Sequence, residues 1–290
     1  MDKILLIGGP EIAKYTVAGS LWPMISKRTG IVFEHVIKAI ESSEKLELFI
    51  SNIRKDPTIK GFNVALPWKE EIMKHVDIKD DFTNKYGICN TIVNTNGKLT
   101  THNTDVFGIV EPYEKIAGKI DKKSVLILGA GGAGRSLSYY LSDYKNCNVY
   151  LFDIDRTKFK RLIKEIKNIR VVMDYEEVDK IITKCDLVVN ATPIGKFFFR
   201  TNPDSYSSPI KFETILLAKY TAVFQEMNYY PIETEFLNIA SHLGHLTIEG
   251  TKMLAFQALK TLDYIYKSNF VDTLGFEINQ EIEQYVHKNL

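Results

Sequence analysis

The chain has 290 residues, a length that predicts either one large domain or two of ordinary size. Its content of 45% hydrophobic and 25% charged residues is typical of a folded globular protein and excludes wholesale disorder. With 37 Lys and Arg against 36 Asp and Glu, the net charge is +1, and no apolar run reaches the ~20 residues that span a bilayer, so we predict neither a nucleic-acid nor a membrane partner.

The N-terminal third alternates short apolar runs with a helical pattern. Strands are predicted at 3–7, 31–36, 62–66, 88–93 and 98–101. A helix is predicted at 43–53, where apolar residues recur at a spacing of three or four. The run Asn94-Thr95-Asn96-Gly97 between the last two strands is typical of a β-hairpin.

A second series of strands and helices begins near residue 120. Strands are predicted at 124–128, 148–152, 171–172, 186–190 and 222–227, and helices at 135–141 and 156–167. This alternation predicts a mostly parallel sheet with right-handed crossovers. The tail after Pro231 is predicted to be helical throughout, most clearly at 249–266. The predicted fold class is therefore α/β.

The cysteines and histidines give no pattern typical of a disulfide framework or a metal site. Cys89, Cys147 and Cys185 are far apart and odd in number, which predicts reduced thiols in a cytoplasmic protein. Among six histidines only His242 and His245 lie close together, and no H-E-x-x-H pattern occurs. The start of the sequence lacks the apolar stretch and cleavage site of a signal peptide.

A glycine motif follows the first strand of the second series. Gly129, Gly131 and Gly134 form G-x-G-x-x-G between a predicted strand and a predicted helix, which is the context of a dinucleotide-binding turn. The glycines there permit a tight turn, a close approach of the backbone to a pyrophosphate, and close packing of helix on strand. The free N–H groups of the helix N-terminus then favour phosphate. A glycine-rich turn without a ligand is the alternative.

An acidic residue ends the second strand of this series. Asp153 is placed to accept a hydrogen bond from the ribose 2′-hydroxyl of NAD and to repel the 2′-phosphate of NADP. Arg156 and Lys158 follow closely and are able to hold a phosphate, and Asp155 suits a helix N-cap. The sequence predicts NAD or NADP as cofactor and slightly favours NAD.

Further patterned stretches surround the glycine motif. They are 61–70 (GFNVALPWKE), 87–93 (GICNTIV), 103–108 (NTDVFG), 190–195 (NATPIG), 229–234 (YYPIET) and 250–257 (GTKMLAFQ). Together they resemble the shikimate dehydrogenase family, whose patterns include N-V-T-x-P-x-K, G-A-x-N-T and N-T-D-x-x-G. The matches occur in the family's order across nearly the whole chain.

The resemblance implies a two-domain enzyme with its active site in the cleft between the domains. It implies an N-terminal α/β substrate domain at 1–115 plus 240–290, to which C-terminal helices return, and a Rossmann-type dinucleotide-binding domain at 116–239. The implied reaction interconverts a ring alcohol and a ketone of a shikimate- or quinate-like cyclic acid, with hydride transfer at nicotinamide C4. The expected partner is a small-molecule substrate. The oligomeric state is left as either a monomer or a homodimer.

The resemblance also assigns roles to individual residues. It implies that Lys69 and Asp105 are catalytic, with the lysine as acid/base and the aspartate orienting it. The implied substrate-binding residues are Asn90, Gln257, Tyr15, Thr16, Ala65 and Tyr229. The implied cofactor-binding residues are Gly129, Gly131, Gly132, Ala133, Gly134, Asp153, Arg156, Asn190, Thr192, Pro193 and Gly250.

Three of these residues also have ordinary structural explanations. Lys69 suits a solvated position at a helix start, Asp105 suits the N-cap of a helix from Val106, and Asn90 suits a turn. Their joint occurrence at family motif positions favours the functional interpretation.

The sequence departs from the family pattern where a substrate carboxylate is expected to bind. Tyr15 and Val17 replace the two serines of H-S-L-S-P, and Ala65 replaces the threonine of N-V-T. Lys196 replaces a usual apolar residue, and Glu226 stands where Asp is common. Losing a polar partner in a binding site changes the discrimination between substrates by as much as ~10⁴-fold, so these replacements are not neutral. Two explanations of them stay open.

Either a rebuilt carboxylate site uses Tyr15 with Thr16 or Ser20, aided by Lys14, or the pocket takes a different cyclic alcohol or keto acid. Two alternative functions also stay open. One is a non-catalytic metabolite sensor on the same fold, and the other is an enzyme similar to methylene-tetrahydrofolate dehydrogenase.

Overall fold

The computed structural model describes residues 1–161, 168–195 and 208–289; the predicted helical residues 162–167 and Lys196 lie outside these ranges. Two compact units emerge. The first comprises Met1–Phe107 and Ala255–Ile282, and the second comprises Gly108–Leu254 and the chain from Glu283 onward. The predicted boundaries, 115/116 and 239/240, lie elsewhere. All three observed divisions, at 107/108, 254/255 and 282/283, fall within continuous helices, which give no change of composition to mark a boundary.

Eleven α-helices occur within the described residues. They are α1 (Ile12–Tyr15), α2 (Ala18–Thr29), α3 (Ser43–Ile53), α4 (Asp81–Tyr86), α5 (Thr104–Ala117), α6 (Gly132–Tyr144), α7 (Tyr175–Ile182), α8 (Phe212–Leu216), α9 (Glu235–His242), α10 (Gly250–Tyr266) and α11 (Phe270–Asn289). Two short 3-10 helices lie at Glu71–Lys74 and Arg156–Arg161.

A six-stranded mixed sheet forms the centre of the first unit. Its strands are β1 (Asp2–Gly8), β2 (Phe33–Ala39), β3 (Ile59–Val64), β4 (Ile78–Lys79), β5 (Thr91–Thr95) and β6 (Lys98–His102), in the order β2-β1-β3-β5-β6-β4. The predicted hairpin joins β5 and β6 and is confirmed. Asn96 (φ 54°) and Gly97 (φ 86°) supply the two positive φ angles that a two-residue turn between twisted strands needs.

The predicted helix at 43–53 is observed with the same bounds as α3. Ser42 caps it, because its side chain accepts a hydrogen bond from the backbone N–H of Lys45. Leu46, Ile50 and Ile53 recur on one face and are buried in the core of the first unit. The apolar spacing in the sequence is therefore the face that packs on the sheet.

The C-terminal helices return to the first unit, as predicted. In α10, Thr261 accepts a hydrogen bond from the Asn63 side chain of β3 at 3.0 Å. The Tyr264 ring stacks on His102 of β6, with 3.8 Å between ring centroids. Gly61 lets this helix approach the sheet, since a Cβ there would lie 2.8 Å from the Ile265 side chain.

The second unit is built on a fully parallel six-stranded sheet. Its strands are β7 (Ser124–Leu128), β8 (Asn148–Phe152), β9 (Ile169–Val172), β10 (Leu187–Asn190), β11 (Val223–Glu226) and β12 (Leu246–Ile248), in the order β12-β11-β10-β7-β8-β9. The chain starts in the middle at β7, winds outward through β8 and β9, and then returns to β10. This is the doubly wound Rossmann arrangement, in which ligands bind at the carboxyl ends of the two strands where the winding reverses.

Some predicted elements are wrong in detail. The tail after Pro231 is not helical throughout, because Leu246–Ile248 pairs in parallel with β11 as the edge strand β12. The predicted strand 88–93 begins only at Thr91, and the predicted helix from Arg156 starts as a 3-10 helix. A three-residue strand and an irregular turn give too short a pattern for hydrophobic periodicity to detect.

One histidine in β2, whose ring nitrogens are both buried, predicts acid sensitivity of the first unit. Neither ring nitrogen of His35 has a hydrogen-bond partner, and its ring stacks on Trp22 at 5.4 Å. Burial lowers the pKa of His35 from 6.5 to about 4. As the pH falls below about 6.5 the unfolded chain gains a proton that the folded chain does not, so the free energy of unfolding decreases down to about pH 4.

We expect the unfolding free energy to fall by about 2 kcal/mol between about pH 7 and about pH 4.5 from this residue alone. The His35→Leu variant should lose that part of the pH dependence. Tryptophan fluorescence during urea unfolding measures it, because Trp22 and Trp68 both lie in the first unit. His287→Leu, at an exposed histidine, is the control. Equal pH dependence in His35→Leu and the unaltered protein would contradict the assignment.

Candidate active site and cofactor site

Three predicted residues form a buried polar triad in the first unit. Lys69 Nζ donates to Asp105 Oδ2 at 2.5 Å, and Asn90 Nδ2 donates to Asp105 Oδ1 at 2.7 Å. The side chains of Lys69 and Asp105 are only 15% and 8% exposed. Burying a salt bridge to this depth removes most of the water from both charges and costs free energy. A lysine at the surface does not have that cost. The Asp105 carboxylate thus holds the Lys69 ammonium group on one oxygen and the Asn90 amide on the other.

The ordinary structural explanations do not describe these side chains. The N-cap of α5 is Asn103, whose side chain accepts from the backbone N–H of Val106 at 3.4 Å, while Asp105 lies within the first helical turn. Lys69 precedes the 3-10 helix and is largely buried. Its carbonyl oxygen accepts from the backbone N–H of Cys89, which fixes the lysine segment beside Asn90.

A chain of hydroxyl groups supports Asn90 from behind. Asn90 Oδ1 accepts from the backbone N–H of Thr104 at 2.7 Å and from the Thr91 hydroxyl at 3.1 Å. Asn63 Nδ2 donates to the hydroxyls of Thr91 and Thr261 at 3.1 and 3.0 Å. Because the Asn90 oxygen is occupied by these donors, its amide group is directed at Asp105.

The other predicted substrate residues show fewer contacts. The Thr16 hydroxyl accepts from the backbone N–H of Ala18 at 3.2 Å, and Lys14 forms an ion pair with Glu11 in which both side chains are exposed. Ala65 follows β3, and Gln257 lies one turn before Thr261 on α10; both are half-buried. Tyr229 is half-buried in the second unit. The side chain of Tyr15 lies outside the described part of the chain.

The glycine motif forms the turn between β7 and α6. Gly129 has φ +109°, a conformation that other residues rarely adopt, and its N–H donates to Phe152 O at 2.7 Å. A Cβ on Gly134 would lie 2.0 Å from the carbonyl oxygen of Gly129. Gly131 is the N-cap of the 13-residue helix α6, and Gly132 and Ala133 form its first turn. The helix therefore presents its free N–H groups at the switch point of the sheet.

A cavity of about 250 Å³ opens beside this turn within the second unit. It is lined by Leu128, Gly129, Gly131, Phe152, Asp153, Ile154, Lys158, Tyr175, Ala191, Thr192, Pro193, Ile194 and Pro209. The lining is mostly apolar, with the Asp153 carboxylate directly after β8 and the Lys158 ammonium group in the 3-10 helix that follows. Such a cavity suits the adenosine part of a dinucleotide, while the adjacent glycine turn suits its phosphates.

Asp153 lines this cavity and already has three hydrogen-bond donors. Its Oδ2 accepts from the backbone N–H of Ala130 at 2.8 Å and from Lys158 Nζ at 2.9 Å, and its Oδ1 accepts from the N–H of Asp155 at 2.8 Å. The carboxylate thus ties β8 to the glycine turn. Arg156 instead donates to the carbonyl of Met173 and is not part of the lining.

Comparison with known proteins identifies the family. The family model described as "Shikimate dehydrogenase substrate binding domain" matches residues 11–92. The model described as "Shikimate / quinate 5-dehydrogenase" matches residues 111–203. The NADP(+) shikimate dehydrogenase of Ignicoccus hospitalis is 34% identical over 258 residues, which cover 85% of this chain and 88% of the relative. That of Caldicellulosiruptor bescii is 30% identical, with 90% and 88% covered. The chain belongs to the shikimate dehydrogenase family.

The fold agrees with that of a solved member. Shikimate dehydrogenase 1 from Peptoclostridium difficile superposes with a TM-score of 0.77 at 26% identity, over 99% of each chain. The prediction of an NAD(P)-dependent dehydrogenase is confirmed by these matches. They give no support to the metabolite sensor or to the enzyme similar to methylene-tetrahydrofolate dehydrogenase.

Some of the predicted cofactor residues contact the protein backbone and do not line the cavity. Asn190 is fully buried at the end of β10, and its amide donates to Ile194 O and to Glu226 Oε2. Gly250 starts α10 in close contact with the Asn228 carbonyl, where a Cβ would lie 2.0 Å away. Of the segment after β10, Thr192 and Pro193 line the cavity themselves.

Other polar residues of both sites were missed at the sequence level. Thr91 and Thr104 stand inside the quoted motifs and carry hydroxyls, which was an available signal. Thr261, four residues after Gln257, and Asn228 gave no local signal, because the partners that give them their roles, Asn63 and Thr192, are distant in sequence.

Two absences hold for the part of the chain that the structure describes. Among residues 1–161, 168–195 and 208–289, no group of three or more His, Cys, Asp or Glu side chains could hold a metal ion. In the same ranges no helix combines the length and apolarity needed to cross a membrane.

Proposed function

We propose that this chain interconverts a ring alcohol and a ketone of a shikimate- or quinate-like cyclic acid, with NAD or NADP as cofactor. The observation that carries the proposal is the buried triad of Lys69, Asp105 and Asn90. When bound, the nicotinamide dinucleotide supplies or accepts the hydride at C4. The Lys69 ammonium donates a proton to the developing alkoxide in ketone reduction, and the neutral amine accepts it in alcohol oxidation.

Asp105 and Asn90 position Lys69 for this proton transfer. The Asp105 carboxylate holds Lys69 Nζ in place through the ion pair at 2.5 Å, and the Asn90 amide holds the other carboxylate oxygen. The triad also offers polar groups to the hydroxyls of the substrate, with Gln257 as a further candidate. Tyr15, Thr16, Ala65 and Tyr229 remain proposed substrate residues on the family resemblance.

The contacts near the start of α2 favour altered substrate choice over a rebuilt carboxylate site. Lys14 is engaged by Glu11, with 75% of its side chain exposed, and the Thr16 hydroxyl accepts from the helix backbone. Neither group is fully buried, so water competes with an anion for both of them. We therefore propose a ring substrate whose recognition depends less on a carboxylate than shikimate binding does in the family.

A panel assay tests the proposed function directly. The purified protein is mixed with shikimate or quinate and with NAD or NADP, and the nicotinamide absorbance band reports turnover. Turnover with a panel member supports the dehydrogenase proposal. Efficient oxidation of shikimate would overturn the altered-choice proposal, and cofactor binding without turnover of any cyclic alcohol would favour a sensor.

We propose that NAD is the preferred cofactor, although both relatives named above are NADP(+) enzymes. The support is Asp153, a buried carboxylate in the cavity wall that repels a 2′-phosphate. Lys158, the cation nearest to it, is already paired with that carboxylate. The Asp153–Lys158 pair therefore decides how much NADP is tolerated.

Asp153→Ala should shift the cofactor ratio toward NADP by about tenfold, equivalent to about 1.4 kcal/mol. The variant removes the acceptor for the ribose hydroxyl and frees Lys158 to pair with a 2′-phosphate. Lys158→Ala should shift the ratio in the opposite direction. The ratio of kcat/KM with NAD to kcat/KM with NADP measures both effects, and Asp155→Ala, at an exposed neighbour, is the control. An unchanged ratio in Asp153→Ala would refute the NAD assignment.

The cellular setting is likewise proposed. The three cysteines are free and buried, which supports a cytoplasmic protein with reduced thiols. The enzyme is proposed to be a monomer or a homodimer, and light scattering on the purified protein distinguishes the two.

A further inference from the structure

Glu226, the last residue of β11, is a fully buried carboxylate with five hydrogen-bond donors. Its Oε1 accepts from the backbone N–H groups of Met227 and Asn228 and from the Asn228 side chain, each at 2.9 Å. Its Oε2 accepts from Asn190 Nδ2 at 2.9 Å and from the Thr234 hydroxyl at 3.0 Å. None of these five donors carries a charge. The five hydrogen bonds offset part of the cost of burying this acidic group, but no opposite charge among them offsets the rest.

The two asparagines that hold Glu226 also hold the segment 190–194. Asn190 Nδ2 donates to Ile194 O at 3.0 Å, and its Oδ1 accepts from the Thr192 hydroxyl at 2.7 Å and from the Thr192 N–H at 3.0 Å. Asn228 Nδ2 donates to the carbonyls of Thr192 and Ile194 at 2.9 and 3.2 Å. Thr192 and Ile194 are therefore held by two asparagine side chains, and both asparagines are in turn held by Glu226.

This segment is one wall of the cavity beside the glycine turn. Ala191, Thr192, Pro193 and Ile194 all line that cavity, whereas Glu226 lies behind them and is not part of the lining. The carboxylate therefore acts on the cavity only through its partners. A carboxylate oxygen can accept from all the donors at once, whereas an amide or a protonated acid places a hydrogen among them.

We propose that Glu226 is a positioning residue for the dinucleotide. Through Asn190 and Asn228 it fixes the wall 190–194 in the shape that binds the cofactor. This role rests on the proposed function, because it presumes a dinucleotide in that cavity. Burial raises the pKa of Glu226 to about 7, against the opposing effect of its hydrogen bonds. The partners that bond to it, from β10, from the segment after β11 and from the turn before α9, include no titratable side chain.

Cofactor binding to Glu226→Gln, measured by titration calorimetry with NADH and NADPH at about pH 8, tests the role. The amide turns one acceptor into a donor that faces other donors, so we expect Kd to rise about tenfold. Glu226→Asp retains the charge and should recover part of the affinity. Glu233→Gln makes the same change at an exposed neighbour and is the matched control. The proposal also requires KM for the cofactor to rise more than kcat falls.

The unaltered protein provides a second test that needs no variant. Its cofactor affinity should weaken as the pH falls through about 7, and Glu226→Gln, where it folds, should lack this step. Equal Kd values in Glu226→Gln and the unaltered protein, or a flat pH profile of the unaltered protein, would overturn the positioning role alone. Failure of the unaltered protein to bind either dinucleotide would overturn the proposed function as well.

Discussion

Replacing Lys69 with alanine is expected to reduce kcat by about 10²–10⁴-fold, the usual contribution of a positioned acid/base group. The lysine is the member of the triad assigned as the acid/base, giving a proton to the substrate oxygen in one direction and taking it back in the other. The glycine turn and its cavity belong to the other compact unit. Cofactor affinity should therefore stay within about twofold of the unaltered protein, well under the 1.4 kcal/mol of a tenfold change.

The substitution also leaves the Asp105 carboxylate buried with Asn90 as its remaining partner, so stability must be measured beside activity. Steady-state kinetics at saturating cofactor, cofactor calorimetry and urea unfolding together separate the two effects. Lys74→Ala, at an exposed lysine five residues further along, is the control and should retain activity. If Lys69→Ala turns over at a rate close to that of the unaltered enzyme, the acid/base assignment is wrong.

Three features that depend on neighbouring residues follow from the sequence. The hairpin at Asn96-Gly97 follows from two residues that tolerate positive φ, and helix α3 follows from a cap and a regular apolar spacing. The glycine turn follows from a strand, three spaced glycines and a helix. In each case the physical cause lies within a few residues of the effect, so a single sequence contains it.

The polar networks behind both sites are different in kind. Asn63 meets Thr261 across 198 positions of the chain, and Glu226 meets Asn190 across 36. No periodicity relates such pairs, because they become neighbours only after the sheets have assembled. At the sequence level Glu226 was merely a departure from a family aspartate, and the structure gives it five hydrogen-bond donors. The residues proposed to contact ligands were thus easier to predict than the residues that hold them in place.

The same contrast between local and assembled causes appears within the glycine motif. Gly131 has φ −70° and ψ −177°, which any residue adopts, and a Cβ built there meets nothing within 4 Å. Gly134 has no such space, since a Cβ would lie 2.0 Å from a backbone oxygen of Gly129 and 3.2 Å from the Ala191 side chain. We therefore propose that Gly131 is required for the ligand, whereas Gly134 is required for the packing of the turn.

Alanine at these two positions should have distinguishable effects. Gly131→Ala should unfold like the unaltered protein but bind the dinucleotide about tenfold more weakly or worse, because its methyl group occupies the space into which a pyrophosphate approaches the helix N-terminus. Gly134→Ala should destabilise the second unit by about 1–3 kcal/mol, because two backbone segments must move apart to admit the methyl group. Urea unfolding and cofactor calorimetry on both variants make the comparison. If Gly131→Ala binds cofactor as tightly as the unaltered protein, the open space beside Gly131 is not where the phosphates lie, and the glycine turn is there for packing alone.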